Sequence, residues 1–151
     1  MFRGVNTVNL DSKGRLAIPT RYRDQLVRLC EGQMVVTVDR DGCLLLYPLP
    51  EWEEIERKLA RLSSFQKQTR RLQRLLIGHA TECEMDANGR ILLSQPLREF
   101  AGLEKAVVLI GQSNKFEIWS EPTWTERRKE WIEGDGEDEG DLPADLESLS
   151  L

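Results

Sequence analysis

Leu10-Asp11-Ser12-Lys13-Gly14-Arg15-Leu16-Ala17-Ile18-Pro19 is the stretch that decides the fold, because the chain contains it twice. The second copy, Met85-Asp86-Ala87-Asn88-Gly89-Arg90-Ile91-Leu92-Leu93, repeats the Asp-x-x-Gly-Arg core 75 positions later. Apolar residues flank both cores with period two. Val8 and Leu10 enter the first and Leu16 and Ile18 leave it; Cys83 and Met85 enter the second and Ile91 and Leu93 leave it. Alternation on both sides of a short polar turn predicts a β-hairpin with one buried face. Asp11 and Asp86 suit the turn because a short carboxylate can bond the backbone two residues on. Gly14 and Gly89 suit it because glycine accepts positive φ. Arg15 and Arg90 each precede an inward apolar residue, so their guanidinium groups are expected to face outward. One such turn would be surface chemistry and nothing more. Two equivalent turns presenting the same arginine point to a repeated binding element.

The duplication extends beyond the turns. After the first, Pro19 suits the opening of a helix with Tyr22, Leu26 and Leu29 on one face, ending near Gly32. Met34 to Val38 reads as a strand, Asp39-Arg40-Asp41-Gly42 as a turn and Cys43 to Tyr47 as the returning strand. In the second copy Ser94-Gln95-Pro96 opens a helix with Leu97, Phe100 and Ala101. The strand Ala106 to Ile110, the turn Gly111 to Asn114 and the strand Phe116 to Trp119 follow. Tyr47-x-x-Pro50-x-Trp52 then matches Trp119-x-x-Pro122-x-Trp124 at an offset of 72. The three-residue loss falls in the helix–strand connection, where a loop tolerates deletion. Each unit of ~45 residues is too small to bury a good core alone. The two are therefore expected to share one.

These boundaries divide the chain into a first repeat over 5–52, a basic helical connector over 53–79, a second repeat over 80–124, a helix over 125–132 and an acidic tail over 133–151 that reads as disordered. Running into the connector, Trp52, Ile55, Leu59 and Leu62 mark one helix. Ser63-Ser64 interrupts it, and Phe65, Leu72, Leu75 and Leu76 mark a second. Seven basic residues and no acid lie between Arg57 and Arg74. Trp124 and Trp131, seven apart, share a face of the closing helix.

The net charge of −5 conceals a segregation of charge. Positions 1–132 hold all 21 basic residues against 18 of the 26 acids, a net of +3, and the remaining eight acids lie from Glu133 onward. An acidic tail on a mildly basic body is compatible with a polyanionic partner. No apolar run approaches the ~20 residues needed to cross a membrane, and the first residues lack a signal-peptide core. The expectation is a cytoplasmic protein.

Enzymatic chemistry has little to draw on. The chain has one histidine, His79, and neither a phosphate loop nor a dinucleotide fingerprint. Cys30, Cys43 and Cys83 are odd in number and widely spaced, so small apolar packing is expected of them and no metal site. No cofactor is expected. Arginine, by contrast, can bond guanine O6 and N7 bidentately in a major groove that admits a two-stranded β-ribbon. Two turns make a thin interface, which several copies of the chain would multiply.

The residues quoted so far, with Met1-Phe2-Arg3-Gly4, Pro19-x-Arg21-Tyr22-Arg23 and Leu46-Tyr47-Pro48, resemble the MraZ family of bacterial transcriptional regulators over essentially positions 1–132. That resemblance implies two SpoVT/AbrB-type domains forming an α+β, mainly β, pseudo-two-fold swapped-hairpin barrel with flanking helices. It implies ring-like homo-oligomers on double-stranded DNA, at G-rich direct repeats upstream of the division and cell-wall gene cluster that includes the chain's own promoter. A nucleoid-associated repressor would follow. It places DNA contacts at Lys13, Arg15 and Arg90, with Arg3, Arg21 and Arg23 as further candidates. Asn88 stands where Lys13 has its counterpart, so the second turn is expected to bind less strongly. An AbrB-type antitoxin and a structural ring or adaptor without DNA binding are the alternatives.

Overall fold

Both Asp-x-x-Gly-Arg stretches form the same tight turn, yet the strands on either side of each turn separate at once and pair elsewhere. The computed structural model describes residues 1–134, so the expected disordered tail lies almost wholly outside the described residues. In chain order the elements are β1 (Phe2–Asn9), β2 (Arg15–Ala17), α1 (Thr20–Cys30), β3 (Gln33–Val38), β4 (Leu44–Pro48), α2 (Leu49–Arg61), α3 (Lys67–Leu76), β5 (Thr81–Glu84), β6 (Arg90–Leu92), α4 (Gln95–Phe100), β7 (Ala106–Ser113), β8 (Phe116–Ser120) and α5 (Glu121–Glu133). The chain forms two compact units, Met1–Glu121 and a second beginning at Pro122.

The expected local hairpin at the first turn shrinks to a single bridge, Leu10 to Leu16. β1 instead runs antiparallel along β7 from Phe2↔Ser113 to Asn9↔Ala106, and β2 pairs with β6 through Leu16↔Ile91. β5 likewise leaves its own turn to pair with β3, with Met34 opposite Cys83. Each repeat therefore lends its first strand to the other. The reason is burial. A strand with one apolar face gains more from joining a wide sheet than from a two-residue ladder with its neighbour, since two strands alone are marginal in water. The same exchange lengthens β7 to Ser113, where the sequence suggests a turn from Gly111.

The hydrogen-bonded order is β1-β7-β8-β4-β3-β5, with β2-β6 as a separate ribbon. The β3–β4 and β7–β8 hairpins meet at Leu44↔Ile118, so the centre of the sheet joins the repeats. The fold is α+β and mainly sheet, built from two repeats, as expected. Among the described residues the ladder ends at β1 and β5, and no pairing joins these two strands.

Both repeats supply one core, in which Leu16, Ile18, Leu26 and Leu46 are packed with Ile91, Leu93, Leu109 and Phe116. Burying a side chain of this size contributes roughly 1.5–3 kcal/mol, so the shared core stabilises both halves together. Tyr22 and Leu26 bury α1 as its spacing predicts. Leu29 is exposed, and Cys30, whose Sγ bonds Leu26 O, packs against the core in its stead. Phe65 lies outside α3 and is 93% exposed. In α5 the Trp124 and Trp131 rings meet edge to face at 5.8 Å.

Candidate nucleic-acid interface

The first turn is built on one carboxylate. Asp11 Oδ1 accepts hydrogen bonds from the backbone N–H groups of Lys13 and Arg15, both at 2.9 Å. Asp11 Oδ2 accepts from Arg15 Nε at 2.6 Å, an ion pair in which both side chains are about one-third exposed. Asp86 does the same in the second turn. Its Oδ1 takes the N–H groups of Asn88 and Arg90 at 2.9 Å, and its Oδ2 takes Arg90 Nε at 3.1 Å. The Arg15 backbone N–H, foremost, with the Arg15 side chain and the Lys13 N–H, holds the Asp11 carboxyl down to about 2. Asp86 is lowered for the corresponding reason, led by the Arg90 backbone N–H. Both turns stay charged and locked at neutral pH.

Because the ion pair uses Nε, it fixes each guanidinium without consuming its outer edge. Among the described residues, neither Nη of Arg15 or Arg90 has a hydrogen-bond partner. Two terminal nitrogens held in one plane are the donor fork that bidentate recognition requires.

The β2–β6 register then sets both arginines on one surface. Arg15 lies opposite Leu92 and Arg90 opposite Ala17, while Leu16 and Ile91 form the pair between them. Paired residues share a face, and alternate positions change face. Leu16 and Ile91 are fully buried, so Arg15, Ala17, Arg90 and the 58%-exposed Leu92 form the outer face of the ribbon.

Each turn is completed by the other repeat. Ile18 N–H bonds Gly89 O at 2.8 Å, and Leu93 N–H bonds Gly14 O at 3.0 Å. Arg98 of the second repeat, its Nε on Leu93 O at 3.0 Å, lies against Gly14. Arg23 of the first repeat, its Nε on Ile18 O at 2.7 Å, lies against Gly89. Both glycines have positive φ, +83° and +74°, and a Cβ on Gly14 would stand 2.7 Å from Arg98 Nε. Glycine is needed here for both the backbone angle and the close approach.

The ribbon thus gathers Lys13, Arg15, Arg90 and Arg23 from the sequence-derived candidates. It separates off Arg3 and Arg21, which stand with Gly4 and Tyr22 at the far end of β1. There Arg21 Nη2 bonds Asn6 Oδ1 at 2.6 Å and Tyr22 OH at 2.8 Å, and its guanidinium lies 4.8 Å above the Tyr22 ring. Sequence reasoning overlooked Arg98, although it sits at the same 75-residue offset from Arg23 that relates the two turns. With Asp11 counted, the first turn gathers a net +2 (Lys13, Arg15, Arg98); with Asp86, the second gathers +1 (Arg90, Arg23).

Elsewhere, ligand atoms of Asp39, Cys43 and Glu117 lie within 4.8 Å of one another. Burial, aided by the carboxylates, pushes the Cys43 thiol far up. Among the described residues, no helix is long and apolar enough to cross a membrane.

Comparison with known proteins places the chain in a family. The family model described as "MraZ protein, putative antitoxin-like" matches residues 1–75 and again 76–138. A protein of Thioalkalivibrio sulfidiphilus named "Transcriptional regulator MraZ" is 63% identical over the whole of both chains. Proteins of the same name from Halorhodospira halophila and Methylococcus capsulatus are 59% identical over the whole of both chains and 65% identical over 88% of each. Two matches to one family model, falling on the two halves that exchange strands, show that the chain belongs to the MraZ family.

Proposed function

We propose that the chain is a transcriptional regulator that binds double-stranded DNA through the outer face of the β2–β6 ribbon. The observation that carries this reading is the pair of arginines on one surface, each oriented by an aspartate through Nε with both Nη atoms unbonded among the described residues. That arrangement suits the O6 and N7 acceptors of guanine in the major groove. Lys13 and the arginines that cross to the opposite turn, Arg23 and Arg98, would meet phosphates. Arg3 and Arg21 stand apart and would contribute only to DNA that extends beyond the ribbon.

The finer reading is a repressor at G-rich direct repeats upstream of the division and cell-wall genes, its own promoter included. It acts in the cytoplasm at the nucleoid as a ring-like homo-oligomer. Oligomerisation follows from charge: a body of net +3 neutralises few phosphates, whereas several linked copies add their contacts. Sequence-specific binding needs no catalytic residue, cofactor or metal.

An AbrB-type antitoxin is the second reading, favoured by the wording of the family model. Both repeats here are used to build one ribbon, which suits a DNA-reading unit.

The deciding experiment is a competition gel shift on the DNA upstream of the chain's own coding sequence, at fixed salt. Selective retention over scrambled DNA, lost in Arg15→Ala while the protein stays folded, is the expected result. Equal binding to both DNAs would leave the chain without sequence specificity and overturn the reading.

A further inference from the structure

The connector carries a second charged surface that the ribbon does not use. Arg57, Lys58 and Arg61 of α2 are followed by Lys67, Arg70, Arg71 and Arg74 of α3, with no acid among positions 57–74. Among the described residues, Arg57 alone of these has an acidic partner, Glu54 at 3.9 Å, and Arg70 Nη1 instead bonds the Ser64 and Phe65 carbonyls. Beside this stripe is a groove of about 500 Å³ lined by Arg40, Gln68, Thr69, Arg71, Leu72 and Leu75. Phe65 and Leu62, 93% and 46% exposed, border the same helix pair.

Cationic and apolar groups alternate on this surface, and the combination selects the partner. A phosphate backbone would satisfy the arginines and leave Phe65 in water and the half-buried Leu72 and Leu75 without further cover. An acidic segment with leucines between its carboxylates would satisfy both. The chain carries one at its C-terminus. Asp141, Asp145 and Glu147 interleave with Leu142, Leu146, Leu149 and Leu151, and no basic residue follows Lys129.

We propose that the α3 groove receives residues 141–151 of a second copy of the chain, its carboxylates on Lys67, Arg40 and Arg71 and its leucines against Leu72 and Leu75. The inference rests on the self-association in the proposed function, because copies held together present each segment at high effective concentration. It gives the acidic tail a specific seat, and part of the contact is electrostatic and weakened by salt.

Zero-length carbodiimide coupling tests it, since the reagent joins a carboxylate only to an amine already in contact. Two full-length chains are co-expressed. One carries Lys67→Arg; the other keeps Lys67 and carries Asp141→Asn, Asp145→Asn and Glu147→Gln. Neither alone can form a Lys67–tail amide through these carboxylates, so any such product joins two copies. The expected result is that amide in the mixed assembly, identified by peptide mass, and lost when Arg71→Glu is added to the second chain. It should also fall severalfold at about 0.5 M salt, where the screening length shrinks to ~4 Å.

Particle mass is recorded on the same samples. An assembled protein without the Lys67 amide, or with the tail coupled chiefly to Lys13, overturns the groove assignment and leaves the oligomeric reading standing. A monomeric protein without the amide overturns both.

Discussion

Arg15 and Arg90 stand diagonally across the β2–β6 ladder, on the face opposite the buried Leu16–Ile91 pair. They come from different repeats, and the register of two three-residue strands fixes their separation. Arg15→Ala is expected to remove one bidentate base contact, ~1–3 kcal/mol per site, with the fold retained and the thermal midpoint lowered only slightly by loss of the Asp11 ion pair. Arg90→Ala, on the turn with Asn88 in place of a lysine, should lose less. Anisotropy titrations on operator and scrambled DNA measure both, and equal losses would contradict the ranking.

Asp11 supplies a pH signature. Its folded pKa of about 2 lies below the ordinary 3.8, so ionisation favours the folded state. That contribution is nearly complete above about pH 5 and is lost progressively as pH falls through about 2. Asp11→Asn keeps an acceptor for the turn and loses the charge facing Arg15. The gap in melting temperature between wild type and Asp11→Asn should therefore be widest near neutral pH and narrow steadily as pH falls through about 2. A gap that persists undiminished well below pH 2 would count against the Asp11 charge, held by the Arg15 and Lys13 backbone N–H groups and the Arg15 guanidinium, as its source.

Gly14 and Arg98 provide a double-mutant test of the strand exchange. Gly14→Ala incurs roughly 1–2 kcal/mol for positive φ and a further cost for its 2.7 Å approach to Arg98 Nε. Arg98→Ala removes the second cost and leaves the first. Urea denaturation of the single and double variants should show a double loss smaller than the sum of the two. Simple additivity would mean that Arg98 yields freely.

Linked copies predict a steep dependence on the number of repeats in the DNA. DNAs carrying one, two and three G-rich repeats at matched total length should bind with increasing affinity, beyond the statistical gain in sites. The slope of log affinity against log salt should steepen in step, because each engaged copy releases its own counterions. Identical affinity and slope for one and three repeats would exclude multivalent binding.

Much of this molecule was legible in its sequence. The period-two flanks located β2 and β6, the 75-residue offset revealed the duplication, and Asp11 and Asp86 do bind the backbone two residues on. Strand partners were not legible. Alternation states that Val8 has a buried side and nothing about which neighbour covers it, so β1 on β7 could not be distinguished from β1 on β2. Arg98 was hidden for the same reason, since its place against Gly14 exists only after the exchange. Arg3 and Arg21 share a charge with the ribbon arginines but not a location, and composition alone cannot separate them. Phe65 shows the opposite failure. It continues the apolar spacing of α3 yet precedes the helix, where Ser63 and Ser64 have already turned the chain.

Carrying both turns in one polypeptide has a directional consequence. A symmetric pair of identical chains must present the same residue at both ends of its ribbon, and such a ribbon matches palindromes. Here Lys13 occupies one end and Asn88 the other, so the ribbon has a head and a tail. Units with that polarity keep it when they associate head to tail, and rings arise from such heterologous contacts. DNA read by such an array would carry its half-sites in one orientation, like the text of a tape rather than its mirror image.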